Sequence, residues 1–89
     1  MPSVGRVPSY LVETFLPRRE TGRRAAGEER ARSAAAELTR RGQPVRFDHS
    51  IHIPSDETCF FVFEAASASA VAQAAERAGL RALRIVENC

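Results

Sequence analysis

The stretch FDHSIHIPSDETCFFVFE, Phe47 to Glu64, carries both histidines of the chain, one of its two cysteines and four of its five phenylalanines. Two kinds of chemistry are open to it. A histidine titrates near neutrality, and a neighbouring carboxylate orients its ring, so His49 beside Glu64, or beside Glu13 from an adjacent strand, could work as a general base. His52 with Cys59 offers a nitrogen and a sulfur to a soft transition metal. On a strand, however, H-x-x-H sends its two rings to opposite faces, unlike the helical H-E-x-x-H of a zinc site. A mononuclear centre also needs three or four protein ligands. His49, His52, Cys59, Glu13 and Glu64 are the candidates, and they reach that number only if carboxylates or a second subunit join in.

The elements that must position these residues follow from hydrophobic period and turn chemistry. YLVETFLP, Tyr10 to Pro17, reads as a strand ended by its proline. It is apolar on both faces except at Glu13, a carboxylate that is costly in a central strand unless paired or wet. Glu28 to Arg41 reads as a helix with the small-residue face Ala31, Ala34, Ala35 and Leu38, with Gly42 as its C-terminal cap. Gly22 and Gly27 are expected to loosen the approach to it. VRFDHSIHI alternates, so Val45, Phe47, His49, Ile51 and Ile53 are expected on one face and Arg46, Asp48, Ser50 and His52 on the other. PSDE has turn composition, and TCFFVFEA is a second strand, closing a β-hairpin. In SASAVAQAAERAGL, Ser67 suits an N-cap, Val71, Ala74, Ala75 and Ala78 form the apolar stripe, and Gly79 with Leu80 suits the C-terminus. RALRIVEN ends the chain as a strand carrying Leu83, Ile85 and Val86.

If Ile53 pairs with Thr58 across the turn, then Phe47 lies opposite Glu64, His49 opposite Val62 and His52 opposite Cys59. His49 and Glu64 become diagonal neighbours on one face, and a one-residue slip would reverse this. Ordinary structural roles are open to the same residues: a hydrogen-bonded core position for His49, simple exposure for His52, an arginine partner for Glu64 and a small buried apolar role for Cys59.

The order β-α-β-β-α-β predicts a ferredoxin-like α+β fold, a four-stranded antiparallel sheet with both helices on one face and the first and third strands central. Residues 1–9 read as a flexible lead and 10–88 as one domain. Phe60, Phe61, Val62 and Phe63 are consecutive, so the third strand is apolar on the uncovered face too. A chain of 89 residues builds a thin core. A homodimer packing two such faces together, enclosing a cavity, is therefore expected.

Apolar residues make up 44% and charged residues 27%, an ordinary soluble composition. No apolar run approaches the roughly 18 residues of a membrane helix, and the first residues lack a signal peptide's apolar stretch, so the cytoplasm is the expected location. Two cysteines make no disulfide framework, and Cys89, the last residue, is expected to be mobile. All thirteen basic residues are arginine, and nine lie between Pro17 and Arg46 against four acids. With no interleaved aromatics and no phosphate loop, this stretch reads as a solvated helix face with local ion pairs, not a nucleic-acid surface. No nucleophile motif, P-loop or dinucleotide fingerprint is present.

YLVETFLP, the His49–Ser50 pair, TCFFVFEA with Cys59, Glu64 and Ala65, and AERAGLRALRIVE together resemble a small bacterial domain-of-unknown-function family that includes a nickel-binding protein. The resemblance spans Tyr10 to Glu87. It implies a dimeric α/β-barrel assembly of ferredoxin-like chains and metal binding, with nickel as the candidate ion and His49 as the carried-over ligand. Two positions depart from the family pattern: Ala74 stands where members often carry a histidine, and Arg81 where a proline is common. The expected function is thus a homodimer binding a metal ion or small ligand in a cavity on the sheet face. The alternative is a small cofactor-free enzyme of cyclase, isomerase or oxygenase type, with His49 as base and Glu13 or Glu64 orienting it. A plain interaction module is the third reading.

Overall fold

A computed structural model describes residues 7–88. The strands are β1 (Ser9–Phe15), β2 (Val45–Ile53), β3 (Thr58–Ala65) and β4 (Arg84–Asn88), and the helices are α1 (Arg23–Arg40) and α2 (Ala68–Arg77). The sheet order is β2-β3-β1-β4, antiparallel throughout. The expected ferredoxin-like topology is therefore present, with the first and third strands central. Residues 1–6 of the expected lead, and Cys89, lie outside the described residues.

Both helices cover one face of the sheet. Tyr10, Val12, Phe61, Phe63, Val45 and Phe47 pack there against Ala31, Ala35, Leu38, Val71, Ala74 and Ala75. Alanine on the helices lets them sit close to large strand side chains. The approach is tightest at Gly27, where an added Cβ would lie 3.0 Å from the Phe61 ring. That contact is why α1 tolerates a glycine. The helix begins at Arg23, five residues before the expected start, because RRAA already favours helix and Gly27 is held by packing.

The helix ends follow local chemistry. Ser67 accepts a hydrogen bond from the Ala70 N–H at 3.2 Å, capping α2. Gly42 and Gly79 take positive φ, 94° and 73°. Beyond them the Gln43 N–H reaches the Leu38 carbonyl and the Leu80 N–H the Ala75 carbonyl, both at 2.9 Å. These are the bonds of a Schellman ending. In the hairpin turn Glu57 is left-handed, φ 52°. Its carbonyl accepts from the Leu16 N–H at 2.8 Å and its carboxylate from the Arg18 N–H at 3.1 Å, which ties the hairpin tip to the end of β1. Leu83 was expected in the last strand. It precedes β4 and is exposed, although its N–H reaches the Glu13 carbonyl.

The largest departure is in β2. Ile53 faces Thr58, His52 faces Cys59 and His49 faces Val62, as the turn predicts. Then the register shifts: Phe47 faces Phe63 and Arg46 faces Glu64. Asp48 is the extra residue of a β-bulge. The single face expected for Val45, Phe47, His49, Ile51 and Ile53 is therefore broken. Val45 and Phe47 are buried beneath the helices, whereas His49 and Ile51 are exposed on the open face. Ser50 takes the covered side and is buried, which a plain hydropathy reading disfavours. It is satisfied there: it accepts from Arg24 Nε at 2.8 Å and donates to the Glu28 carboxylate.

Candidate functional site

The open face of the sheet carries three of the five candidates. Register places Glu64 and His49 on it from β3 and β2, and Glu13 from β1 opposite Phe60. Around them lie apolar side chains that a covered sheet would bury. Phe15 is 60% exposed, Ile51 41% and Val86 40%.

The bulge decides what His49 meets. In a regular strand, sequence neighbours point to opposite faces. The extra residue puts Asp48 and His49 on the same side, both exposed. The Asp48 Oδ2 and His49 Nδ1 atoms are 2.8 Å apart. The ring's partner is thus Asp48, a residue the sequence reading placed on the other face. Bulges of this kind recur beside functional sites because they re-aim a side chain.

Glu64 and Glu13 do not converge on His49. Glu64 faces Arg46 and is ion-paired to it at 2.5 Å, the arginine-partner role open to it from sequence. Arg46 also lies 3.4 Å from Asp48. Glu64 is the larger cause, and Asp48 the smaller, of a guanidinium pKa raised above its usual value. Glu13 is paired with Arg84 of β4 at 3.1 Å, which resolves the cost of a carboxylate in a central strand. It also lies two strands from His49. At about 4.8 Å per strand that is about 10 Å across the sheet.

His52 and Cys59 sit on the covered face, opposite one another. Cys59 is completely buried, and Thr14 donates to its carbonyl at 2.7 Å. Burial pushes its thiol up from 9.0. Arg24 and Ser50 oppose that shift, and Glu28 adds a little to it. Because the folded value is raised, the protonated thiol's contribution to stability is complete below pH 9.0 and is lost as pH rises through the folded value. Native protein at pH 8 should therefore leave Cys59 unlabelled by iodoacetamide, and unfolding in urea should expose it. Peptide mapping separates it from Cys89, and rapid native labelling of Cys59 would contradict this reading. The His52 Nε2 atom is buried and has no hydrogen-bond partner among the described residues.

The fold and site define a ferredoxin-like α+β domain with one helix-covered face and one open face bearing a His–Asp pair among apolar side chains. The chain matches the family described as nickel responsive protein SCO4226-like over residues 10–87. It belongs to that family. No curated protein and no solved structure matches it significantly. No helix among the described residues is long and apolar enough to cross a membrane.

The family's description raises nickel, and the described residues of a single chain do not fit a nickel centre. Among the described residues no three His, Cys, Asp or Glu side chains are grouped so as to hold a metal ion. His49 and Asp48 are a pair, and the other two carboxylates of the open face are held by arginines. His52 and Cys59 are likewise only two, on the opposite side of the sheet.

Proposed function

We propose that this protein works as a homodimer formed through the open sheet face, binding a small ligand in the space between the two sheets. The observation that carries this reading is the exposure of Phe15, Ile51 and Val86 on the face that also presents His49. Large apolar side chains left exposed on one face of a sheet point to an interaction site. The family's link to nickel supports a divalent transition metal as the ligand. Since the described residues of one chain group too few donors, such a centre draws on both copies, with His49 as the imidazole each contributes and Asp48 as its nearest carboxylate. Glu13 and Glu64 line the same face and become available only if their arginines release them.

The test has two parts. Light scattering at micromolar concentration should give about twice the 9.8 kDa chain mass; a single 9.8 kDa species would remove the dimer. Calorimetric titration of nickel, zinc and copper should show binding to wild type that His49→Ala loses. Equal weak binding in both would rule out a His49-centred site.

A specific contact favours a second reading, a small cofactor-free enzyme. A carboxylate on Nδ1 leaves Nε2 to exchange a proton with a substrate, the arrangement of an oriented general base. The orienting group in that case is Asp48, in place of Glu13 or Glu64. Organic metabolite retained in native mass spectra of purified dimer, with no metal, would favour it.

A further inference from the structure

A cleft of about 480 Å³ opens between the start of α1, the segment after β1 and the turn that follows α2. Phe15, at the end of β1, borders both this cleft and the open face. Arg23, Arg24, Arg30 and Arg81 line it, with Glu20 as the one acid among its lining residues. Such a concentration of guanidinium groups is costly to maintain without counter-charge.

Arg24 and Arg30 are held in place by neutral acceptors. Arg30 Nε donates to the Ala78 carbonyl at 2.7 Å. Arg24 donates through Nε to the Ser50 hydroxyl at 2.8 Å and through Nη2 to the Ser50 carbonyl at 3.1 Å, with Glu28 no nearer than 4.0 Å. The carbonyl on Arg30 fixes that side chain without cancelling its charge, whereas Glu28 partly offsets the charge of Arg24. Arg23 alone has a close carboxylate, Glu20 at 2.7 Å. Arg81 makes no hydrogen bond or ion pair among the described residues. Fork-shaped guanidinium groups are matched to carboxylate and phosphate oxygens; Arg24 and Arg30 are pre-ordered by their bonds, and Arg81 brings one that is unpaired among the described residues. The rest of the lining includes Leu16, Phe61 and Leu80, a floor for an apolar body. A volume of this size suits a small molecule.

We infer that this cleft binds a small organic oxyanion, its carboxylate or phosphate group held by Arg24, Arg30 and Arg81 and its apolar part resting on Leu16, Phe61 and Leu80. The oxyanion chemistry is shared by carboxylates and phosphate monoesters, and two probes separate them. Phenyl phosphate and benzoate are titrated calorimetrically into the full chain at low ionic strength, beside phenol and inorganic phosphate as controls. At least one of the two aromatic anions should bind about tenfold more tightly than either control, a factor corresponding to about 1.4 kcal/mol. The better one identifies the head group. Arg81→Ala, which removes no bond of the fold, should weaken that binding at least fivefold, and added salt should weaken it further. Arg40→Ala, an exposed arginine outside the cleft, should leave it unchanged. The inference is overturned if both aromatic anions bind no better than the controls. It is equally overturned if Arg40→Ala costs as much affinity as Arg81→Ala.

Discussion

Deleting Asp48 should leave the protein folded with β2 straightened, whereas Phe47→Ala should cost about 3–5 kcal/mol. Asp48 is the extra residue between Phe47, which faces Phe63, and His49, which faces Val62. With it gone, Phe47 and His49 become neighbours in a regular strand and still point to opposite faces. Val45 and Phe47 stay beneath the helices, Ser50 stays beside Arg24 and Glu28, and His49 stays on the open face. What is lost is the Asp48 carboxylate beside His49 and Arg46, exposed contacts of small effect, as in Asp48→Ala. Phe47→Ala instead empties a buried position beside the Phe61 and Phe63 rings. Urea unfolding of the variants side by side measures this. A deletion as costly as Phe47→Ala would show that the bulge itself holds β2 in register.

Phe63→Ala should cost about 4 kcal/mol, and Phe60→Ala much less in the isolated chain. The two residues are three apart on one strand and look equivalent in CFFVF. Phe63 is fully buried, faces Phe47 in register, and meets its ring edge-on at 5.4 Å between centroids. Truncation there leaves a cavity beneath both helices. Phe60 is only partly buried, on the open face opposite Glu13. Its removal should weaken self-association instead. Denaturation midpoints at two protein concentrations distinguish the effects: a concentration-dependent loss for Phe60→Ala, a concentration-independent one for Phe63→Ala. A concentration-independent loss of about 4 kcal/mol from both would count against the dimer face.

Most of the scaffold is legible in the sequence because it is written locally. Proline after β1, glycine after each helix, serine before α2 and the PSDE turn are short-range signals, and each acts where it stands. The turn even sets the register of the outer half of the hairpin, from Ile53 and Thr58 to His49 and Val62. The bulge is not written in that way. VRFDHSIHI alternates without a flaw, and nothing at Asp48 announces an interruption. What selects it is distant: Phe47 against Phe63, and Ser50 against Arg24 and Glu28 from α1. The partner of His49 was lost with it, because strict alternation sets Asp48 on the far face. In the sequence Glu13 stands out as a carboxylate needing an explanation, and Glu64 as one open to an arginine partner. The explanation is an arginine apiece, and Arg84 and Arg46 cannot be matched to them without knowing which strands are neighbours. Helix α1 began early for a similar reason, since the strength of Gly27 lies in its contact with Phe61.

The bulge also governs how copies of this chain can meet. Strand β2 forms one border of the sheet, nine residues long, with a row of backbone groups that no other strand among the described residues satisfies. Such a border invites another chain to add itself strand by strand without limit. At Asp48 that row is broken midway, and the charged side chains of Arg46 and Asp48 flank the break. An incoming strand would lose its spacing there. Growth into fibres is thereby discouraged along the border, while a closed pairing of faces stays open to the molecule.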